Sequence, residues 1–304
     1  FGQVCWESGV TALIGGAMGA TMVGDWTARL VEQEMLTVNP DSLLAGEREL
    51  AFRHALLREG AYATLTEDDR RRGHLLAGEW LEQHGEREPM TLAEHAARGG
   101  DVARAASHYL RAAEQAIHVL DLDAAMTRAG LGLACAPPQE LRIALLGARC
   151  EASTYAFQLI PAVMPEAEEL MRSAPRGSIP WAQAVLAYIT GTMLAGKVPE
   201  LLAAVQVLRE VEPAPDAAGR MAIAYLASAC MLDVLGKIAD GTALEDRFRE
   251  VLRGVEDRAS IAHFWWHILL GMRAAYASDD PWTGLEHGDA IRPIHDAVGG
   301  ERVF

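Results

Sequence analysis

Lysine is scarce in this sequence. Of its 27 basic residues, 25 are arginine and only Lys197 and Lys237 are lysine. P-loop proteins and protein kinases hold phosphates with a lysine, so only two positions could serve such a site. Lys197 completes the pattern GxxxxGK over residues 191–197, but Val198 stands where a P-loop has Ser or Thr. Because Pro199 then starts a new helix, we interpret the pattern as a turn between two helices, and we expect no cofactor in this chain.

Basic residues are also fewer than acidic ones. The chain has 42 acidic residues and a formal net charge of −15. Binding to nucleic acids depends mainly on cations that contact phosphates, so this balance disfavours a nucleic-acid partner.

Metal motifs and long apolar runs are absent. The four cysteines form no CxxC pair, and we read them as buried thiols in a reducing compartment. His263 and His267 have the i, i+4 spacing of some zinc sites, but no Glu general base and no third ligand accompany them, so we expect no metal. No uninterrupted apolar run reaches the roughly 20 residues of a membrane span. We therefore expect a cytoplasmic protein without a membrane partner.

What remains is a sequence typical of helices. Ala, Leu, Arg and Glu dominate, and six apolar residues near the C-terminus follow the spacing of one helix face: Ile261, Phe264, Trp265, Ile268, Leu269 and Met272. Thr66 with Asp69 resembles a capping box for a helix that runs to about His84. Asp280 before Pro281 predicts the start of another helix. These patterns indicate an all-α fold.

Helix breaks divide this sequence into pairs of helices. The pairs begin near Asp101, Pro138, Pro180, Pro215 and Asp257, at intervals of about 35–42 residues. A fixed period in this range is typical of a helical solenoid, here a right-handed superhelix over residues 66–304. A generic helical bundle is the alternative.

One pair has a more specific pattern. Gly100 and Asp101 precede Ala105, Tyr109 and Ala112, which is the core spacing of a tetratricopeptide repeat (TPR). Small alanines let two helices cross closely, and the aromatic ring fills the groove between pairs. Later pairs keep the rhythm but lose this pattern, so we describe them as TPR-like.

The N-terminal 65 residues differ from the rest. Helical stretches near residues 6–13 and 24–35 precede two short extended segments, 35–38 and 50–52, on either side of a turn-rich stretch. Helix, helix and β-hairpin predict a partial winged-helix module over residues 1–65. Its candidate recognition helix carries Arg29 against three acidic residues, which favours packing on protein over binding DNA.

The segment from Leu50 to Ala116 resembles a known junction. Residues 52–62 (FRHALLREGAY), Leu65, residues 70–81, residues 92–95 (LAEH) and the turn at residues 99–101 occur in the order found after the ATPase core of large bacterial signalling ATPases of the STAND type. The likeness is strongest to members fused to a serine/threonine protein kinase. It implies a winged helix followed by TPR-like repeats, with ATP and Mg²⁺ bound only in domains upstream of Phe1. Both ends of the chain fall in structured-looking sequence, so we expect a piece of a longer protein.

The resemblance also suggests candidate contacts. A winged helix in such proteins packs on the ATPase core, and five arginines near this junction are candidates for that interdomain contact: Arg53, Arg58, Arg70, Arg71 and Arg72. The simpler interpretation of residues 70–72 is a solvated helix face.

The functional expectation is a non-catalytic regulatory region. Its helical repeats would bind a protein or peptide, or sense an inducer, and would couple that event to the upstream ATPase or kinase. No HRD, DFG or complete Walker A motif occurs, so whether an enzyme is involved depends on the parent protein. The alternatives are a parent whose activity is that of a serine/threonine kinase or ATPase, or an ATP-dependent transcriptional activator.

Overall fold

The structure is a computed structural model that describes residues 1–42, 44–258, 260–278 and 280–298. The protein is 75% helical, with 15 α-helices and one three-stranded sheet in the described residues. The all-α prediction is therefore confirmed. The chain forms two compact units, one of Phe1–Ala112 with Leu131–Pro138 and one of Ala113–Gly130 with the residues from Gln139 onward.

The first unit begins with a small sheet. Strand β1 (Val4–Trp6) leads into helices α1 (Glu7–Leu13) and α2 (Ala20–Glu32), and then into strands β2 (Leu36–Asn39) and β3 (Glu49–Phe52). β3 lies in the middle and pairs antiparallel with both neighbours. The predicted hairpin is confirmed, but strand β1 escaped prediction. A three-residue strand is too short to show an alternating pattern.

Four helices complete most of this unit: α3 (Ala55–Ala63), α4 (Glu67–Gln83), α5 (Pro89–Gly99) and the start of α6 (Val102–His118). The Trp6 and Trp80 rings stack with centroids 5.6 Å apart, and both belong to one core cluster with Leu44, Leu81 and Leu92. Side chains from both sides of residue 65 thus share a core. The predicted division at residue 65 into a module and an array stays a prediction.

Local patterns in this unit formed as expected. The Thr66 hydroxyl accepts a hydrogen bond from the Asp69 amide at 3.2 Å and caps α4. The turn between α5 and α6 places Gly100 in the left-handed region, with φ 82°, and the Asp101 amide donates to the Ala96 carbonyl at 2.9 Å. Beside this turn, four buried residues form the close crossing that the alanine pattern predicts: Ala93, Ala96, Ala105 and Tyr109.

The remaining helices run to the end of the described chain. They are α7 (Leu122–Ala134), α8 (Gln139–Tyr155), α9 (Ile160–Ser173), α10 (Ile179–Leu194), α11 (Val198–Glu210), α12 (Ala218–Val234), α13 (Ile238–Arg253), α14 (Ile261–Ala277) and α15 (Pro281–Val298). In the second unit, the first helices of successive pairs (α8, α10, α12 and α14) pack side by side. Each second helix packs on the first helix of its own pair. The helix-pair rhythm is confirmed, whereas the superhelix stays a prediction; residues 299–304 of the predicted array lie outside the described residues.

The GxxxxGK pattern is a turn between helices. Gly196 has φ 69°, and the Lys197 amide donates to the Thr192 carbonyl at 2.8 Å. Forty residues later Gly236, with φ 72°, and Lys237 repeat the same turn and the same bond length. Glycine is favoured at both positions because side chains rarely tolerate a positive φ. Both lysines thus follow helix-ending turns in this array.

Two expectations about side chains and membranes can be compared with the structure. Among the described residues, no helix combines the length and the apolar character that crossing a bilayer requires.

The prediction of four buried thiols is right for Cys150 and wrong for Cys5, Cys135 and Cys230, which are half-buried. Cys5 lies on strand β1, Cys135 directly follows α7, and Cys230 lies within α12.

Candidate interaction surface

Helix α3 lies outside the core. None of its nine residues is buried, and the Leu56 side chain is 80% exposed. Leu57, Tyr62 and the following Leu65 are exposed as well. A helix this short is not stable by itself in water. The conformational entropy lost in forming its first turn exceeds the stabilisation from its few hydrogen bonds. The exposed apolar residues of α3, with Leu65 after it, form an uncovered surface that we call the α3 surface (Leu56, Leu57, Tyr62 and Leu65).

Arg70 holds the C-terminal end of α3. Its Nε donates to the Tyr62 carbonyl at 3.3 Å and its Nη2 to the Ala63 carbonyl at 3.2 Å. The guanidinium also lies over the Tyr62 ring, 4.9 Å from the centroid. A cation at the last carbonyls of a helix satisfies free acceptors and opposes the helix dipole. Arg70 thus anchors the α3 surface from within the chain.

Arg71 caps a different helix. Its Nε donates to the Gly99 carbonyl at 3.2 Å, at the end of α5. A Cβ atom on Gly100 would lie 2.5 Å from the same Nε, so the guanidinium occupies the space that this glycine leaves. Arg70 and Arg71, two of the five candidate contacts, are therefore engaged in the fold of the first unit.

The other three candidates have fewer contacts with the rest of the chain. Arg53 pairs with Glu34 at 2.7 Å, with both side chains largely exposed. Arg58 on α3 lies 3.5 Å from the carboxylate of Glu59, a pairing at the limit of a hydrogen bond. For Arg72, the described residues offer neither a hydrogen bond nor an ion pair. Exposed ion pairs contribute little to stability, so these three guanidinium groups can exchange partners at low cost.

A chain of hydrogen bonds lies behind the α3 surface. The Tyr62 hydroxyl is 2.9 Å from Nε2 of His74, and Nδ1 of His74 is 3.2 Å from Nδ1 of buried His95. Burial lowers the pKa of both histidines to about 4. One Nδ1 must donate and the other must accept, so at least one of the two rings must be neutral for this contact. The sequence showed four histidines in this region, but their pairing required the helix packing.

The space beside these histidines is small. A recess beside them is lined by His74, Leu75, Gly78, Glu79, Leu92, Ala96, Arg104 and His108. Its volume of about 10 Å³ is that of one water position. The buried Nδ1 of His108 has no hydrogen-bond partner there, which suits a bridging water. The recess itself is too small for an organic substrate.

The exposed face of α2 carries apolar groups. Met22 and Trp26, one turn apart, are both about half exposed. The helix ends at Glu32 and not at Met35, so the predicted recognition helix is shorter at this end than expected. A surface of Met and Trp is typical of protein interfaces, whereas DNA contact requires cations.

A buried charge network in the second unit was not predicted from the sequence. Arg273 on α14 donates to both carboxylate oxygens of Asp233 on α12, at 2.8 and 3.1 Å, and to Glu245 on α13 at 2.7 Å. Its guanidinium also reaches the Thr242 hydroxyl at 3.2 Å. The side chain of Arg273 is only 9% exposed. Because the donors of Arg273 are paired with carboxylate and hydroxyl oxygens, the network joins three helices and has a structural role.

His263 and His267 have different hydrogen-bond partners. His263 contacts the Ser260 hydroxyl at 3.0 Å, while Nδ1 of His267 lies 3.1 Å from Nδ1 of His287 on α15. In the described residues, no three His, Cys, Asp or Glu side chains are arranged to hold a metal ion. The two histidines therefore contribute to helix packing.

No protein-family model, curated protein or solved structure matches this chain. Its likeness to STAND-type ATPases therefore depends on the residue pattern between Leu50 and Ala116.

Proposed function

We propose that this chain is a non-catalytic regulatory and protein-interaction region of a multidomain bacterial signal-transduction ATPase. In this proposal its first unit docks on an ATPase domain upstream of Phe1, and its TPR-like helix pairs bind a protein or peptide in the cytoplasm. The observation that carries the proposal is helix α3, whose apolar side chains are held in place yet uncovered.

The order of elements supports the docking module. A strand, two helices and a hairpin, with the first strand beside the last, is the arrangement of a winged helix without its first helix. The apolar exposed face of α2 favours a protein partner over DNA, and with it the regulatory proposal over a transcriptional activator.

The expected mechanism is a shift in populations. A ligand that binds one arrangement of the helix pairs more tightly stabilises that arrangement, by an amount equal to its difference in affinity. If the α3 surface contacts the ATPase in only one arrangement, ligand binding and ATPase activity become linked. Nucleotide chemistry, and any kinase activity, would belong to the upstream domains.

The test is a substitution on the α3 surface. Leu56→Glu places a charge in the proposed interface, and we expect an affinity for the upstream ATPase domain that is lower by about tenfold or more. The affinity is measured by titration of the purified ATPase domain with the chain. The fold should not change, because Leu56 is 80% exposed.

A matched control is Val119→Glu. Val119 is a similarly exposed aliphatic residue, which lies between α6 and α7. This variant should bind like the wild type. Equal binding by all three proteins, with unchanged circular dichroism, would refute docking through α3.

A further inference from the structure

The segment that contains helix α3 is fixed at both of its ends. On the N-terminal side, the Arg53 amide donates to the Met35 carbonyl at 3.0 Å, next to the paired strands β2 and β3. On the C-terminal side, the Thr66 hydroxyl caps helix α4 by accepting from the Asp69 amide. We call the residues between these two points, 54–65, the α3 strap.

Between its ends, the strap is attached to α4 through the last turn of α3. Arg70 donates to the Tyr62 and Ala63 carbonyls, and its guanidinium lies over the Tyr62 ring. The Tyr62 hydroxyl is bonded to Nε2 of His74 at 2.9 Å. In the described residues these are the three hydrogen bonds that join α3 to α4. We call them, together with the contact of Arg70 with the ring, the Tyr62–Arg70 latch.

Apolar burial contributes little to the attachment of the strap. None of the nine residues of α3 is buried, so detachment would expose little additional apolar surface. The side chain of His54 does not cap the helix, and Gly60 in its interior lowers its intrinsic helicity. The attached state therefore depends on the latch, whose polar contacts are individually weak in water.

The attached and detached states differ in the groups that they offer to a partner. In the attached state the α3 surface is present, and the Arg70 guanidinium is occupied by the strap. A detached α3 loses its helix, because nine residues are too few to stay helical alone in water. Detachment would also free the Arg70 guanidinium and uncover the His74 ring. The two states exclude each other, since the latch closes in only one of them.

We propose that the α3 strap is a conformational switch, which detaches from α4 by local unfolding while the rest of the first unit stays folded. A partner that binds the α3 surface would stabilise the attached state by its difference in affinity for the two states. This consequence rests on the proposed docking through α3, whereas the detachment itself does not.

Native-state hydrogen exchange of the 304-residue chain, measured by mass spectrometry of peptides, tests the proposal. The amides of α3 should exchange by local opening, at a rate that low concentrations of urea leave unchanged, because this opening exposes little surface. The amides of α4 and α5 should exchange more slowly and accelerate with urea, since they open only when the whole unit unfolds.

Two outcomes for the wild type would overturn the proposal. In the first, α3 exchanges as slowly as α4 and with the same dependence on urea, which would mean that the strap opens only in global unfolding. In the second, α3 exchanges as fast as an unstructured peptide, which would mean that the attached state is not populated.

Substitutions in the latch provide a second measurement. Arg70→Met removes two hydrogen bonds and the cation over the ring, and should accelerate exchange of the α3 amides by about tenfold or more. Tyr62→Phe keeps the ring and removes only the bond to His74, so we expect an acceleration of about two- to tenfold. Exchange of the α4 and α5 amides and the circular dichroism spectrum should stay close to those of the wild type.

The matched control is Arg72→Met, on the same helix. Arg72 has neither a hydrogen bond nor an ion pair among the described residues, so this variant should exchange like the wild type throughout α3. Equal exchange of α3 in Arg70→Met and Arg72→Met would overturn the role of the latch. Hydrogen exchange is measured on the chain alone, whereas the Leu56→Glu assay requires the ATPase domain, so the two proposals fail independently.

Discussion

Arg70 and Arg71 are adjacent in the chain but hold different helices. Arg70 binds the last carbonyls of α3, and Arg71 binds the last carbonyl of α5. Their neighbour Arg72 stays exposed. Three consecutive arginines thus have three different environments, because each residue along helix α4 is rotated by about 100° from the one before. At the residue scale, neighbours and not residue type decide which arginines are available to a partner.

The buried side chain of His95 predicts how the stability of the fold depends on pH. Its pKa in the folded state is lowered to about 4 by burial, so the unfolded state binds more protons between about pH 6.5 and pH 4. The free energy of unfolding should therefore fall as pH is lowered through this range. We expect His95→Gln to remove at most about 2 kcal/mol of the loss between pH 7 and pH 5.

Urea denaturation at both pH values measures this difference. His54→Gln is the control, because His54 is exposed just before α3. Parallel pH profiles for the wild type and His95→Gln would show that the buried histidine does not govern acid sensitivity.

At the scale of single helices, two glycines have opposite effects on stability. Gly60 lies inside α3, and a Cβ atom there would meet nothing within 4 Å. Gly100 ends α5 at φ 82°, and a Cβ there would collide with the Arg71 guanidinium. A glycine in a helix interior costs stability, whereas a glycine in a left-handed turn preserves it. The same residue therefore weakens one element and terminates another.

Alanine substitutions should separate these roles. Gly60→Ala should increase the helicity of α3 and stabilise the first unit by up to about 1 kcal/mol. Gly100→Ala should destabilise it by about 1–2 kcal/mol, because alanine is strained at this φ and displaces Arg71. Thermal unfolding followed by circular dichroism measures both changes. A lower midpoint for Gly60→Ala would contradict the cost assigned to glycine inside α3, and a higher midpoint for Gly100→Ala would contradict the strain expected at φ 82°.

At the scale of the whole molecule, polar networks hold the helix pairs of the second unit together in addition to its apolar core. Arg149 pairs with Glu166 at 2.7 Å and donates to the Met126 carbonyl at 2.8 Å. Arg220 on α12 forms an ion pair with Glu151 on α8. The Arg273 network joins α12, α13 and α14. Arginine suits these positions because its planar guanidinium presents several donors in a fixed geometry that matches a carboxylate at two points, whereas lysine presents a single ammonium.

Substitution of Arg273 measures how much such a network contributes. Arg273→Met leaves the half-buried Asp233 without its cation and Glu245 with only Arg249, and we expect a loss of about 3 kcal/mol in the free energy of unfolding. Arg273→Lys should lose less, since it keeps the charge but not the bidentate geometry.

Urea denaturation again provides the measurement. The control is Arg292→Met, because the ion pair of Arg292 with Asp289 at 3.8 Å is almost fully exposed and should contribute little. Equal losses for Arg273→Met and Arg292→Met would contradict a structural role for the network.

Part of this structure was predictable from the sequence. The Thr66 cap, the Gly100 turn and the hairpin strands β2 and β3 depend on residues close together in the chain, and each formed where its pattern predicts. The small sheet shows the limit of such patterns. Strand β1 forms only because β3, more than 40 residues later, offers its free edge. The arginines near the junction were predictable as candidate contacts, but the α3 surface of apolar residues was not.

The sequence alone determined the helices, their pairing and their turns, since apolar periodicity, caps and left-handed glycines act within a few residues. Tertiary structure decided which side chains remain available. Asp233 and Arg273 are 40 residues apart, and His74 and His95 are 21 apart, so no local pattern reveals either contact. The same holds for the uncovered α3 surface. A leucine or tryptophan has the same hydrophobicity at any position, and only the packing of distant helices leaves it covered or exposed.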